Sequence, residues 1–291
     1  MHERTERRIA ETVATAWYGH SYGSRMDIAL GTVATLSLLA VADPDGPDLA
    51  TQWAELDDAE LVLAMKVVWG ALWFREPYLI EMARPIHDWL KEDPTLEMLA
   101  SVRAIMRAAF RYGLLGITGH RDPYMRSDSD MLGAVLVELR APGDRKAKGE
   151  FHTPQPVSDV IAQLVIGSEI PPAGRSFEEP SAGSGGMIRS AAQHIRSLGG
   201  NPANYLWSMT DIDRYAAAIC AVNAVIWGLG PNVLTFCGDT LRHADGPQQA
   251  AEMRRQVLAH RDRVVEFMQF AAATRNAFHM LNAVVTGDIA A

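Results

Sequence analysis

The residues best suited to chemistry lie in Arg175–Met187, R-S-F-E-E-P-S-A-G-S-G-G-M. A short segment carrying Glu179 and Pro180 runs into small residues and glycines, and a helical pattern opens at Met187 and Ile188. That order reads as strand, tight turn and helix N-terminus. Without side chains at Gly183, Gly185 and Gly186 a ligand can lie against the backbone, and the first turn of the helix offers unpaired N–H groups to a carboxylate or phosphate. The spacing is neither the dinucleotide pattern G-x-G-x-x-G nor a Walker loop, which needs Lys and then Ser or Thr after its last glycine. An ordinary glycine-rich turn has the same composition, so the neighbouring residues decide.

Those neighbours are acids at the ends of strands. Tyr205–Met209 is a short apolar strand that leads into Thr210-Asp211-Ile212-Asp213, and Asn232–Phe236 leads into Cys237-Gly238-Asp239-Thr240-Leu241. Strand and helix alternate across residues 175–241, the pattern of a parallel doubly wound sheet with its ligand at the carboxyl ends of the strands. Glu179, Asp211 and Asp239 would then face one crevice, with Asp211 well placed to accept hydrogen bonds from ribose hydroxyls. Each acid alone also reads as a helix cap or turn former, and for Asp213 capping is the expectation.

Stepping outward, a chain of 291 residues with 48% hydrophobic content can bury a large core. Ile28–Ala42 is too short for a bilayer, which needs roughly 20 apolar residues, and reads as a buried helix. Nothing suggests export, a reducing cytoplasm fits the two cysteines, Cys220 and Cys237, and the nine histidines lack partners at metal-ligand spacing. A net charge of −8 argues against a broad basic face that grips nucleic acid unaided. Two local basic sets exist. Arg140, Arg145, Lys146 and Lys148 suit a phosphate-facing surface or a solvated face, and Arg254, Arg255, Arg261 and Arg263 suit the solvated side of a helix; solvated faces are the expectation for both.

Helical spacing predicts elements over 3–19, 26–42, 56–73, 78–91 and 95–112, with Asp57 or Asp58 capping the third and Trp69, Trp73, Met82 and Trp89 in the core. Further helices are expected over 129–139, 157–166, 188–198 and 214–227, and one or two long ones over 247–282. The expected organisation is an all-helical N-terminal domain (1–125), an α/β core (126–245) and a C-terminal helical extension (246–291).

The motifs G-E-F-H-T-P at 149–154, E-P-S-A-G-S-G-G-M at 179–187, T-D-I-D at 210–213 with Asn223 downstream, and G-D-T-L at 238–241 resemble those of adenine-specific DNA methyltransferases. The likeness is closest to the modification subunit of type I restriction systems, spans roughly Asp128–Leu241, and includes the S-D-M-L-G run at 129–133. It implies a Rossmann-like, S-adenosylmethionine-dependent α/β sheet, here truncated, behind a helical N-terminal domain. By that resemblance Glu150, Phe151, His152, Thr153, Pro154, Ser181, Ala182, Gly183, Ser184 and Gly185 would contact the methionine part of the cofactor, Asp211 the ribose and Asp239 the adenine. Glu179 would sit near its cationic groups. His152, Glu179, Ser181-Ala182 and Asp211 depart from the residues the family prefers at these places.

One departure is larger, because no N-P-P-F or N-P-P-Y follows Leu241. In the family that motif accepts the hydrogens of the exocyclic amine and stacks on the flipped base. Asn201-Pro202 does not substitute, since it precedes the second strand. The apolar run A-V-V-T near the last residues is a candidate fourth strand. Two readings follow: a DNA methyltransferase or subunit whose catalytic segment is supplied by another chain or by an unrecognised substitute, with DNA reached through a partner subunit, or a catalytically inactive cofactor-binding module that works as a partner or sensor subunit; a protein partner or a homo-oligomer suits both. A degenerate remnant of the fold is the third. Three parallel strands would also expose the edge of the cofactor strand, and the C-terminal helices or a second subunit are expected to cover it.

Overall fold

The computed structural model describes residues 2–20, 25–41, 45–46, 48–140 and 153–286. Up to Arg140 the described residues form ten α-helices: α1 (His2–Gly19), α2 (Met26–Ser37), α3 (Leu49–Glu55), α4 (Asp58–Arg75), α5 (Pro77–Met82), α6 (Arg84–His87), α7 (Leu96–Arg111), α8 (Leu114–Thr118), α9 (Pro123–Arg126) and α10 (Met131–Glu138). Then come α11 (Gln155–Ile166), β1 (Ser176–Glu179), α12 (Gly186–Ser197), β2 (Leu206–Asp211), α13 (Arg214–Ile226), β3 (Val233–Cys237) and α14 (Gly246–Thr286).

Local chemistry accounts for most boundaries. Asp57 caps α4 reciprocally, accepting from Glu60 N (2.8 Å) while Glu60 Oε2 accepts from Asp57 N (2.9 Å). Thr95 Oγ1 accepts from Met98 N at the start of α7, and Asp213 caps α13 through Tyr215 N and Ala216 N. The helix α3 was not expected; Asp48, in the turn-rich stretch before it, accepts from Ala50 N and Thr51 N and starts it. The expected single helix over 78–91 is broken into α5, α6 and a 3₁₀ turn at Asp88–Lys91. Pro85 has no N–H to continue the helical ladder, and it sits in the first turn of the new segment. Likewise α2 ends at Ser37, and Val41 N instead donates to Gly119 O (2.9 Å).

The helical layer packs around α2, whose residues from Ile28 to Ser37 are all buried. Ile9, Val13 and Trp17 form the buried stripe of α1, which lies against α7 and α10. Trp69 and Trp89 are core residues, and Trp69 Nε1 donates to the Thr35 hydroxyl.

The described strands form one parallel sheet in the order β1-β2-β3, with Phe177 opposite Trp207 and Trp207 opposite Val233. Phe177, Tyr205 and Trp207 pack ring on ring at its base, with centroids 5.0–6.1 Å apart. Helix α13 packs on β2 and β3 and also on α5, α6 and α10, so the buried cluster is continuous from Ile9 to Ala250.

The two edges of the sheet differ. On β3, the Tyr78 hydroxyl donates to Thr235 O (2.7 Å) and accepts from Thr235 N (3.1 Å), and α5 and α14 pack alongside. On β1, Leu206 N donates to Arg175 O, so ladder alternation turns the backbone groups of Ser176 and Glu178 away from β2. A groove of about 240 Å³ follows that edge, with Ile161 and Val165 of α11 on its wall. The C-terminal helix therefore covers the β3 side, so of the two covers expected for the cofactor strand, the C-terminal helices or a second subunit, the first is not the one that shields it. The expected strand at the last apolar run is also corrected, since residues 283–286 continue α14; the residues after Thr286 lie outside the described ones. Arg140 is a third correction. Only 5% exposed, it is not a solvated cation, because the end of α10 abuts the start of α13 and its guanidinium pairs with Asp213 at 2.6 Å.

Among the described glycines, Gly31 of α2 has the least room, since an added Cβ would lie 1.8 Å from Ile86 O of α6. A backbone carbonyl cannot move aside as a side chain can. Gly31→Ala is expected to destabilise the fold by about 3 kcal/mol, measured by urea denaturation; a change below experimental error would show that α2 and α6 do not pack as described.

Candidate functional site

The glycine loop connects β1 to α12. Ala182 N donates to Thr210 O and Gly185 N to Ala182 O, both at 2.8 Å. Gly183 and Gly185 take φ of 56° and 91°, backbone that residues with side chains rarely adopt. At Gly185 there is also little room, since a Cβ would meet Met209 Sδ at 3.1 Å and the Trp227 ring at 3.3 Å.

Beneath the loop lies Asp130, the cap of α10. Its Oδ1 accepts from Gly133 N (3.0 Å) and from Asn223 Nδ2 (2.9 Å), and its Oδ2 accepts from the Ser184 hydroxyl. Asn223 Nδ2 also donates to Ser184 O (2.9 Å), so one amide and one carboxylate hold both ends of the same loop residue. Gly133 permits this closeness: a Cβ there would lie 2.4 Å from Ser184 Oγ and from Asp130 Oδ2. Burial raises the Asp130 carboxyl above the usual range, against the lowering effect of Ser184, the Gly133 N–H, Arg189 and Asn223. The Cys220 thiol donates to Gly183 O, and burial pushes it well above the ordinary thiol value.

A hollow of about 230 Å³ opens over the loop, walled by α10, the start of α11 and the start of α12. Among the described residues, three carboxyl groups line it, those of Glu6, Asp130 and Glu179, and one cation, that of Arg189. Arg189 is buried and engaged, donating to Ser127 O (2.7 Å) and pairing with Asp159 (3.3 Å). Burial raises the Glu179 carboxyl, opposed by the Ser181 N–H. The hollow thus presents acids and backbone to a ligand, a surface suited to a cationic group.

Of the residues singled out from sequence, Thr153, Glu179, Ser181, Ala182, Gly183 and Ser184 line the hollow. Pro154 stands at the N-cap of α11, and Gly185 at the N-cap of α12. Glu150, Phe151 and His152 lie outside the described residues, as do Arg145, Lys146 and Lys148. The expectation that three acids share one crevice holds here for Glu179 only. Asp211 is turned back onto the chain, accepting from Gly183 N and Asp213 N, both at 2.8 Å. Asp239 closes its own turn, accepting from Leu241 N (3.0 Å) and pairing with Arg242 (3.4 Å). Sequence reasoning did not single out Asp130, Arg189 or Glu6. Asp130 carried a signal, an Asp placed three residues before a glycine at the head of an apolar run.

These features define a class, Rossmann-like α/β proteins with a glycine loop at the carboxyl end of the first strand. Comparison with known families narrows it: residues 128–262 match the family model of N-6 DNA methylases, from Asp128 through Asp239 and into α14. The chain resembles the adenine-specific DNA methyltransferases, and no N-P-P-F or N-P-P-Y occurs in it. Among solved structures, the methyltransferase subunit of a type I restriction-modification system from Streptococcus thermophilus aligns with 82% of this chain at 15% identity and a TM-score of 0.48. The chain spans 59% of that subunit's length. No curated protein matches the sequence. Among the described residues no helix is long and apolar enough to cross a membrane.

Asp130→Ala removes a helix cap and the anchor of Ser184 and is expected to cost about 2–4 kcal/mol, whereas Asp130→Asn keeps the shape and most of the contacts. The native carboxyl binds its proton more tightly than the unfolded one. The stability Asp130 contributes is therefore full below its unfolded pKa and is lost as pH rises through the folded value. Urea titrations of the native chain and Asp130→Asn should converge at low pH, with the variant gaining relative stability as pH rises above the ordinary aspartate value of about 4. Parallel pH profiles would remove the carboxyl from this role.

Proposed function

We propose that this chain binds S-adenosylmethionine in the hollow above the glycine loop and serves as the cofactor-binding part of an adenine-specific DNA methyltransferase. The observation that carries the reading is the loop itself, clamped from below by Asp130 and Asn223 and lying under a hollow that, among the described residues, three carboxyl groups line. The residues fit the cofactor chemically. Its sulfonium and ammonium are cations, which Glu179 and Glu6 would favour. Its carboxylate suits the free N–H groups at the start of α12. It has no pyrophosphate, so the dinucleotide glycine spacing is not required. Thr153, Pro154, Ser181, Ala182, Gly183, Ser184 and Gly185 would contour the methionine part, together with Glu150, Phe151 and His152. Asp211 would release Gly183 N or share it while accepting from the ribose, and Asp239 would border the adenine. The bound group supplies a methyl on sulfur for transfer to the exocyclic amine of adenine.

DNA would be engaged through a partner subunit, in keeping with the net charge of −8. In a second reading the chain is a catalytically inactive cofactor-binding partner. A cytoplasmic setting suits either.

Calorimetric titration of S-adenosylmethionine tests the site. Binding is expected, to be abolished by Asp211→Ala and weakened about tenfold by Glu179→Gln, roughly 1.4 kcal/mol. Because a protonated Glu179 cannot attract a cation, and burial raises its carboxyl, affinity should fall in the native chain as pH is lowered toward the ordinary glutamate range and stay nearly flat in Glu179→Gln. Absence of heat at millimolar cofactor would overturn the reading. Methyl transfer to adenine with a partner subunit present would then select the enzyme reading over the inactive one.

A further inference from the structure

The second half of α14 is a separate feature. The helix has 41 residues, about 60 Å at 1.5 Å per residue. Its first half is held to the body: Ala250 is buried, Val257 packs on the core, His260 meets the Trp73 ring edge-on, and Arg261 donates to Phe74 O. From Glu266 to His279 the helix is almost wholly exposed. Yet it is apolar, with Phe267, Phe270 and Phe278 exposed by 71%, 70% and 63%. Exposed aromatic patches of this kind mark interaction surfaces.

Their spacing specifies the partner's shape. Phe267, Ala271, Thr274 and Phe278 recur at 4, 3 and 4 residues, and the sequence continues the spacing at Leu281 and Val285. This is the alternation of a coiled-coil seam, taking Phe267 and Thr274 as d and Ala271 and Phe278 as a. The small residues Ala271 and Thr274 leave a depression between the phenylalanines, of about 470 Å³. The Thr274 hydroxyl is satisfied by Phe270 O (2.9 Å), so it asks nothing of a partner. A depression walled by aromatic rings receives a side-chain knob, whereas a lipid surface needs a broad, continuous apolar face.

Charge specifies the partner's chemistry. Arg263 and Arg275 fall at g and e, one on each side of the seam, and the acids Asp262 and Glu266 fall at f and c, away from it. A second copy of this helix would bring no carboxylate to either arginine. We infer that the free half of α14 pairs with an amphipathic helix of another protein, one with aliphatic side chains at its own a and d positions and carboxylates flanking them.

Fluorescence anisotropy of the full chain tests this with two labelled synthetic peptides, both with Leu at a and d, one with Glu and the other with Lys at e and g. The Glu peptide is expected to bind about tenfold or more tightly than the Lys peptide. Arg263→Glu with Arg275→Glu should invert the preference, and Ala271→Glu should abolish binding. All three positions are exposed, so the thermal midpoint should not move. Equal binding of the two peptides, or binding of neither, would overturn the inference. So would a dimer of the chain that Ala271→Glu dissociates in light scattering, or co-sedimentation with phosphatidylglycerol vesicles in place of peptide binding.

Discussion

The carboxylate of Asp130 receives hydrogen bonds from three separate parts of the chain: the start of its own helix, the glycine loop 54 residues on, and Asn223 93 residues on. Each of these parts has a reason to be elsewhere. A loop of small residues and glycines loses much chain freedom on ordering, and a helix start and a mid-helix amide are costly to bury without partners. One carboxylate satisfies all three, and the loop is thereby set before any ligand arrives. Ser184 is gripped at both its hydroxyl and its carbonyl, while Gly183 and Gly186 on either side of it border the hollow. Rigidity from below and access from above are what a small cofactor site requires.

The same structure leaves its sheet asymmetric. The β3 edge is occupied by a tyrosine hydroxyl acting as donor and acceptor at once, and the long C-terminal helix lies beside it. The β1 edge runs along an apolar groove under α11 instead. Exposed Val157, Val160, Leu164 and Val165 continue that apolar character on α11. Unpaired strand backbone beside exposed aliphatic side chains is normally covered in a finished assembly. The side of the glycine loop that holds the cofactor-type hollow is therefore also the side on which the sheet is open.

What the residues disclosed in advance was local. The strand-turn-helix at Arg175–Met187, the alternation that follows and the caps at Asp57 and Asp213 all depend on near neighbours, and they stand where spacing puts them. The departures depend on distant ones. Arg140 looks like the first residue of a basic linker until α10 and α13 are brought together, when it becomes a buried partner of Asp213. Asp130 looks like one helix cap among several, since its other partners are remote in the chain. Pro85 did carry a local warning, and the strongly apolar and aromatic run around it concealed the break. In the site, the glycines were legible because their function is backbone function; the acids were less so, because Asp211 and Asp239 have loop hydrogen bonds of their own to make.

Tyr78 carries one more consequence. Its hydroxyl replaces, for one residue of β3, both bonds that a neighbouring strand would supply, and it does so from a helix 157 positions earlier. The helical half is thus a substitute for sheet, and it protects the side of β3 from lengthening by accretion. Any relative that added a strand outside β3 would have to displace α5 and its tyrosine first. Growth of this sheet has one direction left, outward from β1, so the fold is polar in its capacity for elaboration as well as in its strands.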